Sequence, residues 1–523
     1  MGILSIILNR LNIVSAFREL GGSPQRVQTL RALAASQLLV QLTFLPVTLA
    51  TPSVGNYFGV DVDDAAWTVI IRLLMLGSTV FLTSRLGERF GHVRIFFLGI
   101  VVLTLSNLLA TTAQSLLQLI FWCGVGGFGG ALIIANSNAI IALVYEPNER
   151  GRAFAVPVTA SRFGTLIGLL LFGLFLEYIS WRLVYMSALV VGVVTIWFSL
   201  PVLKYQSYQW ARDGGERARV KIDYLAAAVL VAVLATFILS GSHLHDGAES
   251  FTTPDALSYH IPMHILSLAL AGLFVVLQFR SLEPFLDFRY FKRKYFSMAL
   301  FSNTTCHMSM LVIFTLVPIV VEDGLGYSPL VVTLVLLPHQ TFGLWVPAIA
   351  GYIYDRHNPR WMGPMSLFLI ASGVGLLGLF ANQVPIWGLP LLLLPASIGT
   401  ALFISPYNAV VMNTLPDNRS FASGMLETTR QMGHTVGSTL GATILGLSLP
   451  VAAEFMTAAE AQPYYQQGFQ VAALSVVWII VAGGIVAIFQ RVPGLRPAGP
   501  SEPPEPSEPG PRGGLSPQPG GDD

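Results

Sequence analysis

The stretch SRLGERFGHVR, residues 84–94, holds two glycines and five ionisable side chains between two long apolar runs. A shorter related stretch, GYIYDR, occupies residues 351–356, which is 267 positions further along the chain. Charged residues between apolar runs predict a tight turn on one membrane face, and glycine lets the flanking helices approach closely. Short cytoplasmic loops are generally charged, so the charges alone do not indicate a function. The recurrence of an acidic residue followed by arginine in both stretches favours a role as a gate on the cytoplasmic side. The predicted gate motif comprises Ser84, Gly87, Glu88, Arg89, Gly91, Gly351, Asp355 and Arg356.

Two further matches repeat at nearly the same offset. NAIIALVYEPNERGRAF (138–154) corresponds to NAVVMNTLPDNRSF (408–421), and the segment that begins at Arg162 corresponds to the one that begins at Arg430. Three matches in one order indicate an internal duplication. Parallel halves related by an axis along the membrane normal describe one transporter architecture, in which the substrate site lies between the halves near the midplane.

The composition indicates a polytopic membrane protein. Of the 523 residues, 53% are hydrophobic and 11% are charged, whereas a soluble domain carries about 25% charged residues. The net charge of +1 gives no basic field that would attract nucleic acid. Cys123 and Cys306 lie inside apolar runs and are predicted to be buried thiols rather than a disulfide.

A helix needs roughly 20 apolar residues to cross the hydrocarbon core, and the chain offers fourteen such runs. They are 32–53, 65–84, 94–113, 116–143, 153–175, 180–202, 222–241, 260–280, 295–320, 328–352, 360–382, 384–412, 422–449 and 468–490. If the N-terminus is cytoplasmic, three of the 29 Lys and Arg residues lie within membrane spans and Arg182 lies at the extracytoplasmic end of a helix. All the other Lys and Arg residues lie on the cytoplasmic side. This positive-inside bias predicts that both termini are cytoplasmic.

The predicted fold is therefore all-α, with two six-helix halves (spans 1–6 and 9–14) and two inserted helices. The predicted domains are a cytoplasmic lead-in (1–31), the first half (32–202), a cytoplasmic linker (203–221), the inserted pair (222–280), the second half (281–490) and a Pro-rich cytoplasmic tail (491–523). The tail has the composition of a disordered segment.

These features resemble the major facilitator superfamily, in particular its fourteen-helix drug:H+ antiporter branch (the EmrB/QacA type). SRLGERFGHVR resembles the loop between the family's second and third helices, and TLATPSV (48–54) resembles the end of its first helix. Similar stretches are EPFLDFRYF (283–291), GLGYSPL (324–330) and TTRQMGHTVG (428–437). The resemblance implies the superfamily fold and, as the default activity, efflux.

The family's usual coupling residues are replaced in this chain. The first-helix Asp of the family falls near Thr43, and the fourth-helix Arg falls at Ile120. The fifth-helix antiporter motif appears as GTLIGLLLFG, which keeps Gly164, Gly168 and Gly173 but loses the proline. The resemblance thus implies transport with non-standard coupling residues.

Charged residues inside the spans are the candidate site. A charge at bilayer depth is costly unless it faces the bundle interior or water. Arg72, Arg162 and Arg430 are such charges, and His339 occupies the repeat position of Arg72. We expect a cavity lined by Arg72, Arg162, Arg430, His339, Asn138 and Asn408. The alternative is that the arginines satisfy backbone carbonyls and hold helices together.

Glu427 lies three residues before Arg430, on the same helical face. Glu427 and His434 are the candidates for proton coupling, because imidazole titrates near neutrality. A permanent salt pair at Glu427 and hydrogen-bonded structural roles for His307, His339 and His434 are the alternatives.

The predicted function is secondary active export of an anionic or neutral amphiphile, with proton antiport. An organic-anion carrier without proton coupling is the alternative. A membrane scaffold that uses the proline-rich tail, or a membrane enzyme with a metal in loop 242–260, is disfavoured. The four lysines lack the preceding glycine of a phosphate-binding loop. Expected partners are the lipid bilayer, a small-molecule substrate and, in some settings, a periplasmic adaptor. We expect a monomer in the inner (plasma) membrane, without cofactor, metal or nucleic acid.

Overall fold

The computed structural model describes residues 13–43, 51–60, 62–178, 180–212, 223–240, 254–281, 284–448 and 457–491. Within these ranges the chain forms sixteen α-helices and no strand. They are α1 (Ile13–Leu20), α2 (Pro24–Leu42), α3 (Thr51–Phe58), α4 (Val62–Phe90), α5 (His92–Thr111), α6 (Leu116–Val144), α7 (Arg150–Tyr178), α8 (Arg182–Arg212), α9 (Tyr224–Ser240), α10 (Pro254–Arg280), α11 (Lys294–Ile319), α12 (Pro329–His357), α13 (Met362–Phe380), α14 (Leu389–Thr414), α15 (Arg419–Ser448) and α16 (Ala458–Ile488).

Local signals explain where several of these helices begin. Ser23 caps α2, its hydroxyl accepting from the Arg26 amide at 3.2 Å, and Pro24 occupies the first turn, where its missing N–H costs nothing. Ser115 caps α6 in the same way. Thr457 and Glu460 form a reciprocal capping box at the start of α16.

Ten of the described helices are long and apolar enough to cross a membrane. Each of the fourteen predicted runs overlaps a described helix, although α9 is only 17 residues long. The predicted boundaries shift in places: α2 begins at Pro24 rather than residue 32, and α8 continues to Arg212, into the segment predicted as a linker.

The packing of the helices reflects the internal duplication. Helices α2 and α4–α8 pack among themselves, as do α11–α16, while α9 and α10 pair with each other and α9 lies against α4. Between the two groups, α4 packs on α15 and α7 packs on α12. In the sequence repeat α4 corresponds to α12 and α7 to α15, so the two interfaces are related by the duplication.

Glycines create the close helix contacts inside each half. A Cβ on Gly164 of α7 would lie 2.8 Å from the Leu38 carbonyl oxygen of α2. A Cβ on Gly433 of α15 would lie 2.6 Å from the Thr304 carbonyl oxygen of α11. The same backbone contact thus occurs at repeat-related positions. Gly168 is buried in α7, and the surroundings of Gly173 fall outside the described part of the structure.

The predicted turn at residues 84–94 is wrong in its extent. Helix α4 continues through Phe90, and the turn consists of Gly91, whose φ of 98° favours glycine. In the second half, α12 likewise continues to His357, and Asn358 turns the chain with φ 42°.

Some sequence predictions fall outside the described residues. These are the Pro-rich tail from residue 492 onward, most of loop 242–260, the linker from residue 213 to 222 and the first 12 residues. Cys123 and Cys306 are buried free thiols, as predicted.

Candidate transport site and gate

Helices α7 and α15 bring one arginine each toward the middle of the molecule. Arg162 follows the start of α7 by twelve residues and Arg430 follows the start of α15 by eleven. At 1.5 Å per residue, both lie roughly 17 Å from their helix starts. Arg162 lies within electrostatic range of Arg430. The two repeat-related arginines therefore share one region.

Arg162 crosses the interface between the two halves. Its Nη1 donates to Gln340 Oε1 of α12 at 2.7 Å, and its side chain lies against Gly343, where a Cβ would approach Arg162 Nε to 2.8 Å. Gln340 is neutral, and no carboxylate in the described ranges pairs with Arg162. The guanidinium charge is therefore free to be balanced by a ligand.

Arg430 is paired within its own half. Its Nη1 lies 3.0 Å from Glu427 Oε2, and its Nη2 lies 3.4 Å from Asn408 Oδ1 of α14. The Glu427 side chain is fully buried and also accepts from Gln431 Nε2 at 3.2 Å. The structure thus brings together Arg430, Glu427 and Asn408, three residues that the sequence analysis singled out; their roles in a cavity and in coupling stay predictions.

Two histidines meet beside this pair. His434 Nε2 of α15 lies 3.1 Å from His307 Nδ1 of α11, so one ring donates to the other. His339 does not bond either of these histidines: its Nδ1 bonds Ser397 Oγ at 3.0 Å, and its ring packs edge-on against Phe314.

Asn138 of α6 is 6% exposed, and its Nδ2 has no hydrogen-bond partner among the described residues. Its repeat counterpart Asn408 accepts from Arg430. At this repeat position, the amide nitrogen of Asn138 is therefore a buried donor without a partner in the described residues, whereas the amide oxygen of Asn408 already accepts a hydrogen bond.

Arg72 does not join this site. It is buried within the first half, where it donates to the Thr43 carbonyl, lies 3.6 Å from Cys123 Sγ and faces the Tyr185 ring. The contacts match the alternative given above, in which the arginine satisfies a carbonyl and holds helices together. His339, its repeat counterpart, lies in the other half.

Asp355 joins the two halves at the end of α12. Its carboxylate accepts from the Gly151 amide at 2.7 Å, the Arg152 amide at 2.9 Å and Arg152 Nε at 3.0 Å. Gly351 lies directly against Gly151, and Ser405 Oγ donates to the Gly151 carbonyl at 2.6 Å. A carboxylate at the first turn of a helix is stabilised by the helix dipole. Arg356 bonds Tyr352 of its own helix instead.

The corresponding residues of the first half are used differently. Glu88 pairs with Arg85 of its own helix at 2.7 Å rather than with the start of α15. Arg85 also donates to the Phe285 carbonyl at 2.9 Å, and Arg89 donates to the Tyr224 hydroxyl of α9 at 2.9 Å. Within the described ranges, Glu88 therefore makes no hydrogen bond or ion pair to the other half.

Ser84 and His92 join Arg85 in contacting the second half on this side. Ser84 Oγ donates to the Ser420 carbonyl at 2.6 Å, and His92 Nε2 lies 2.9 Å from Ser420 Oγ. The other ring nitrogen of His92 bonds Asn136 Oδ1 at 2.8 Å, and Gly87 leaves the space that this pair occupies.

Sequence reasoning did not identify Gln340, Arg152 or Ser420 as functional residues. All three are the partners of a predicted residue in the opposite half. Arg152 lies in a segment of the repeat that the sequence revealed, but pairing across the interface depends on how the halves pack.

Comparison with known proteins identifies the class. The sequence profile of the Major Facilitator Superfamily matches residues 33–438, and the chain belongs to this superfamily. It is a membrane transporter of that class and not an enzyme. The superfamily resemblance predicted from the sequence is thereby confirmed.

Similar curated proteins carry transporter names. The chain is 26% identical over 399 residues to the multidrug resistance protein B homolog of Mycobacterium tuberculosis, covering 74% of this chain and 70% of that protein. It is 24% identical over 428 residues to the uncharacterized transporter YebQ of Escherichia coli (81% and 90%). It is 21% identical over 410 residues to the riboflavin transporter RibZ of Clostridioides difficile (77% and 84%).

Solved structures share the fold. The proton:xylose symporter XylE superimposes with a TM-score of 0.57 at 12% identity, covering 86% of this chain and 94% of that one. The human organic anion transporter MFSD10 gives a TM-score of 0.54 at 16% identity, covering 89% and 100%. At such identities the likeness shows the fold alone.

Proposed function

We propose that the protein is a secondary active transporter that exports an anionic or neutral amphiphilic small molecule by proton antiport. The observation that carries the proposal is Arg162, a cation at the interface between the halves whose nearest polar partner is the neutral Gln340. An anionic group of a substrate would balance this charge, and Arg430 lies within electrostatic reach. The names of relatives that concern multidrug resistance support export.

Proton coupling in this proposal uses Glu427 and His434. Glu427 is fully buried beside Arg430, and His434 lies one turn further along α15 with His307 as its partner. A carboxyl group and an imidazole can each take up and release a proton, which is the chemistry that coupling requires. The family's usual coupling positions, Thr43 and Ile120, carry no ionisable side chain.

The proposed topology is the fourteen-span arrangement of the EmrB/QacA branch in the inner membrane, with both termini in the cytoplasm. The positive-inside distribution supports it. With this orientation the contacts of Asp355 and Ser84 close the cytoplasmic side. The protein works as a monomer in the bilayer, and an adaptor is an optional partner for export beyond the inner membrane.

The test is transport by the purified protein in proteoliposomes, with calcein as an anionic probe and ethidium as a cationic one. We expect calcein transport to exceed ethidium transport and to accelerate when a pH gradient is imposed. Arg162→Gln should weaken calcein binding, whereas Arg280→Gln, at the exposed end of α10, should not. Equal rates with and without the gradient would favour the second candidate, an organic-anion carrier without proton coupling. Transport of ethidium alone would refute the anionic assignment.

A further inference from the structure

The start of α13 and the end of α16 border an open, shallow cavity at the surface, away from the transport site. Its volume is about 650 Å³, and its walls include Trp361, Met365, Phe368 and Ile488, with Arg360 also among the lining residues. The four apolar side chains and Arg360 are all exposed at the surface of the protein. In a membrane this opening faces lipid, because α13 and α16 are candidate spans.

A smaller neighbouring cavity of about 100 Å³ shares Arg360 and Pro364 with the first and is also lined by Gln490 and Arg491. Gln490 is 7% exposed, and its Oε1 accepts a hydrogen bond from the Tyr407 hydroxyl. That bond leaves the amide nitrogen for another partner, yet Nε2 has none among the described residues. A buried N–H without an acceptor is costly, so an oxygen from a ligand would stabilise this arrangement.

Positive charge surrounds the smaller cavity. Arg360 and Arg491 are exposed, and neither pairs with a carboxylate in the described part of the chain. The first turn of α13, which starts at Met362, has no side-chain cap, so its N–H groups add to the positive potential. Two guanidinium groups, an unused amide donor and a helix start all favour an anion.

We propose that the two cavities together bind one anionic phospholipid. The headgroup phosphate binds Arg360, Arg491 and Gln490 Nε2, and an acyl chain lies against Met365 and Phe368 in the larger cavity. A free phosphate ion would use only the smaller cavity and leave the larger apolar one unexplained. In the proposed orientation this end of α13 and α16 faces the cytoplasm, and basic pockets between helices on that side bind anionic lipids.

The site adjoins the gate. Tyr354 also lines the smaller cavity, directly precedes Asp355 in α12, and its hydroxyl lies 3.4 Å from Asn413 Nδ2. A bound headgroup therefore lies beside the helix end that carries the gate carboxylate. The inference rests on the proposed orientation and is independent of the proposed substrate.

The test is native mass spectrometry of the full-length protein in detergent, titrated with phosphatidylglycerol or phosphatidylcholine. We expect one tightly retained phosphatidylglycerol and weaker retention of phosphatidylcholine. Removing both charges with Arg360→Gln and Arg491→Gln should weaken phosphatidylglycerol binding about thirtyfold, since each basic side chain near an anionic lipid contributes about 1 kcal/mol. The single variant Arg360→Glu, at an exposed position, should also lose the retained lipid. Arg280→Gln is the matched control and should bind as the wild type does.

Several results would overturn the proposal. Phosphatidylglycerol retained equally by the double variant, at an unchanged melting temperature, would remove the assigned headgroup site. Equal retention of phosphatidylcholine would show that charge does not matter. Displacement of the lipid by glycerol phosphate at equal concentration would indicate a free phosphate site. A retained lipid that appears only after deletion of residues 493–523 would show that the tail occupies the cavities.

Discussion

The Asp355 carboxylate makes three hydrogen bonds across the interface between the halves, and its side chain is 3% exposed. Hydrogen bonds to a charged group contribute about 1.5–3 kcal/mol each when buried, so this one residue stabilises the closed arrangement. The contact exists only while the end of α12 meets the start of α7. A substitution there acts on a conformational equilibrium rather than on substrate.

We expect Asp355→Asn to weaken the closed state by about 2 kcal/mol, a shift of about thirtyfold. The distance between spin labels at Asn148 and His357, measured by double electron–electron resonance, should then lengthen and broaden, while equilibrium binding of substrate is retained. Asp417→Asn is the matched control, because the Arg293 and Asp417 side chains of that pair are 46% and 65% exposed and surface pairs contribute little. An unchanged distance together with lost binding would contradict the gate role.

Glu427 offers a second test at the scale of one residue. The fully buried carboxylate pairs with Arg430 at 3.0 Å and accepts from Gln431. Glutamine keeps its size but cannot release a proton, so Glu427→Gln should abolish stimulation of transport by a pH gradient while probe binding persists. Transport with and without the gradient in proteoliposomes measures this. Glu460→Gln, at an exposed cap, should leave stimulation intact. Full stimulation in Glu427→Gln would make the pair purely structural.

At the scale of the helix, glycine sets the distance between α15 and α11. Gly433 lies against the Thr304 carbonyl, and the backbone of α11 has no side chain to move aside. The repeat-related contact of Gly164 with Leu38 gives the first half the same spacing. Small residues that let backbones approach are the usual basis of packing between membrane helices.

Gly433→Ala should therefore destabilise the protein by about 1–3 kcal/mol, the range for overpacking. A Cβ there would lie 2.6 Å from the Thr304 oxygen, which is too close. Gly272→Ala is the control, since a Cβ at that position of α10 meets nothing within 4 Å. Thermal unfolding followed by circular dichroism should show a lower melting temperature for Gly433→Ala alone. Equal melting temperatures for the two variants would show that α15 can move away at no cost.

At the scale of the whole molecule, the duplication produces two related interfaces that differ in chemistry. The α7–α12 interface includes the buried carboxylate of Asp355. On the other side, Ser84 of α4 and His92 of α5 contact Ser420, and the cation of Arg85 contacts the Phe285 carbonyl and the Phe421 ring. Glu88 and Asp355 correspond in sequence, yet only Asp355 crosses the interface. The two interfaces are therefore expected to contribute unequally to the stability of the closed state.

The fourteen-span topology is tested by labelling single cysteines in intact cells. Cysteines at Ala248 and Ala453 should react with a membrane-impermeant maleimide, and cysteines at Ser207 and Ser501 should react only after permeabilisation. The two natural cysteines are buried and should not interfere. Labelling at Ser207 in intact cells would show that the proposed topology is inverted or that its number of spans is wrong.

Composition and apolar runs determined the helical membrane class, because bilayer thickness and backbone hydrogen bonding leave few alternatives. The superfamily followed from the resemblance of short motifs to a known family, together with the internal repeat. The repeat also placed Arg162 and Arg430 at equivalent depths, since equal spacing along a helix gives equal rise. The proximity of Glu427 to Arg430 followed from their spacing of three residues within one helix. These are local relations, which sequence order alone can carry.

Only the tertiary structure decided which residues meet across the halves. Gln340 opposite Arg162, Arg152 opposite Asp355 and Ser420 opposite Ser84 are pairs separated by 178, 203 and 336 positions along the chain. Such pairs depend on the relative rotation and sliding of packed helices. That arrangement is fixed by many apolar and glycine contacts acting together, and no local pattern in the sequence records it. For the same reason the sequence could not separate Arg72, held within one half, from the two arginines near the interface.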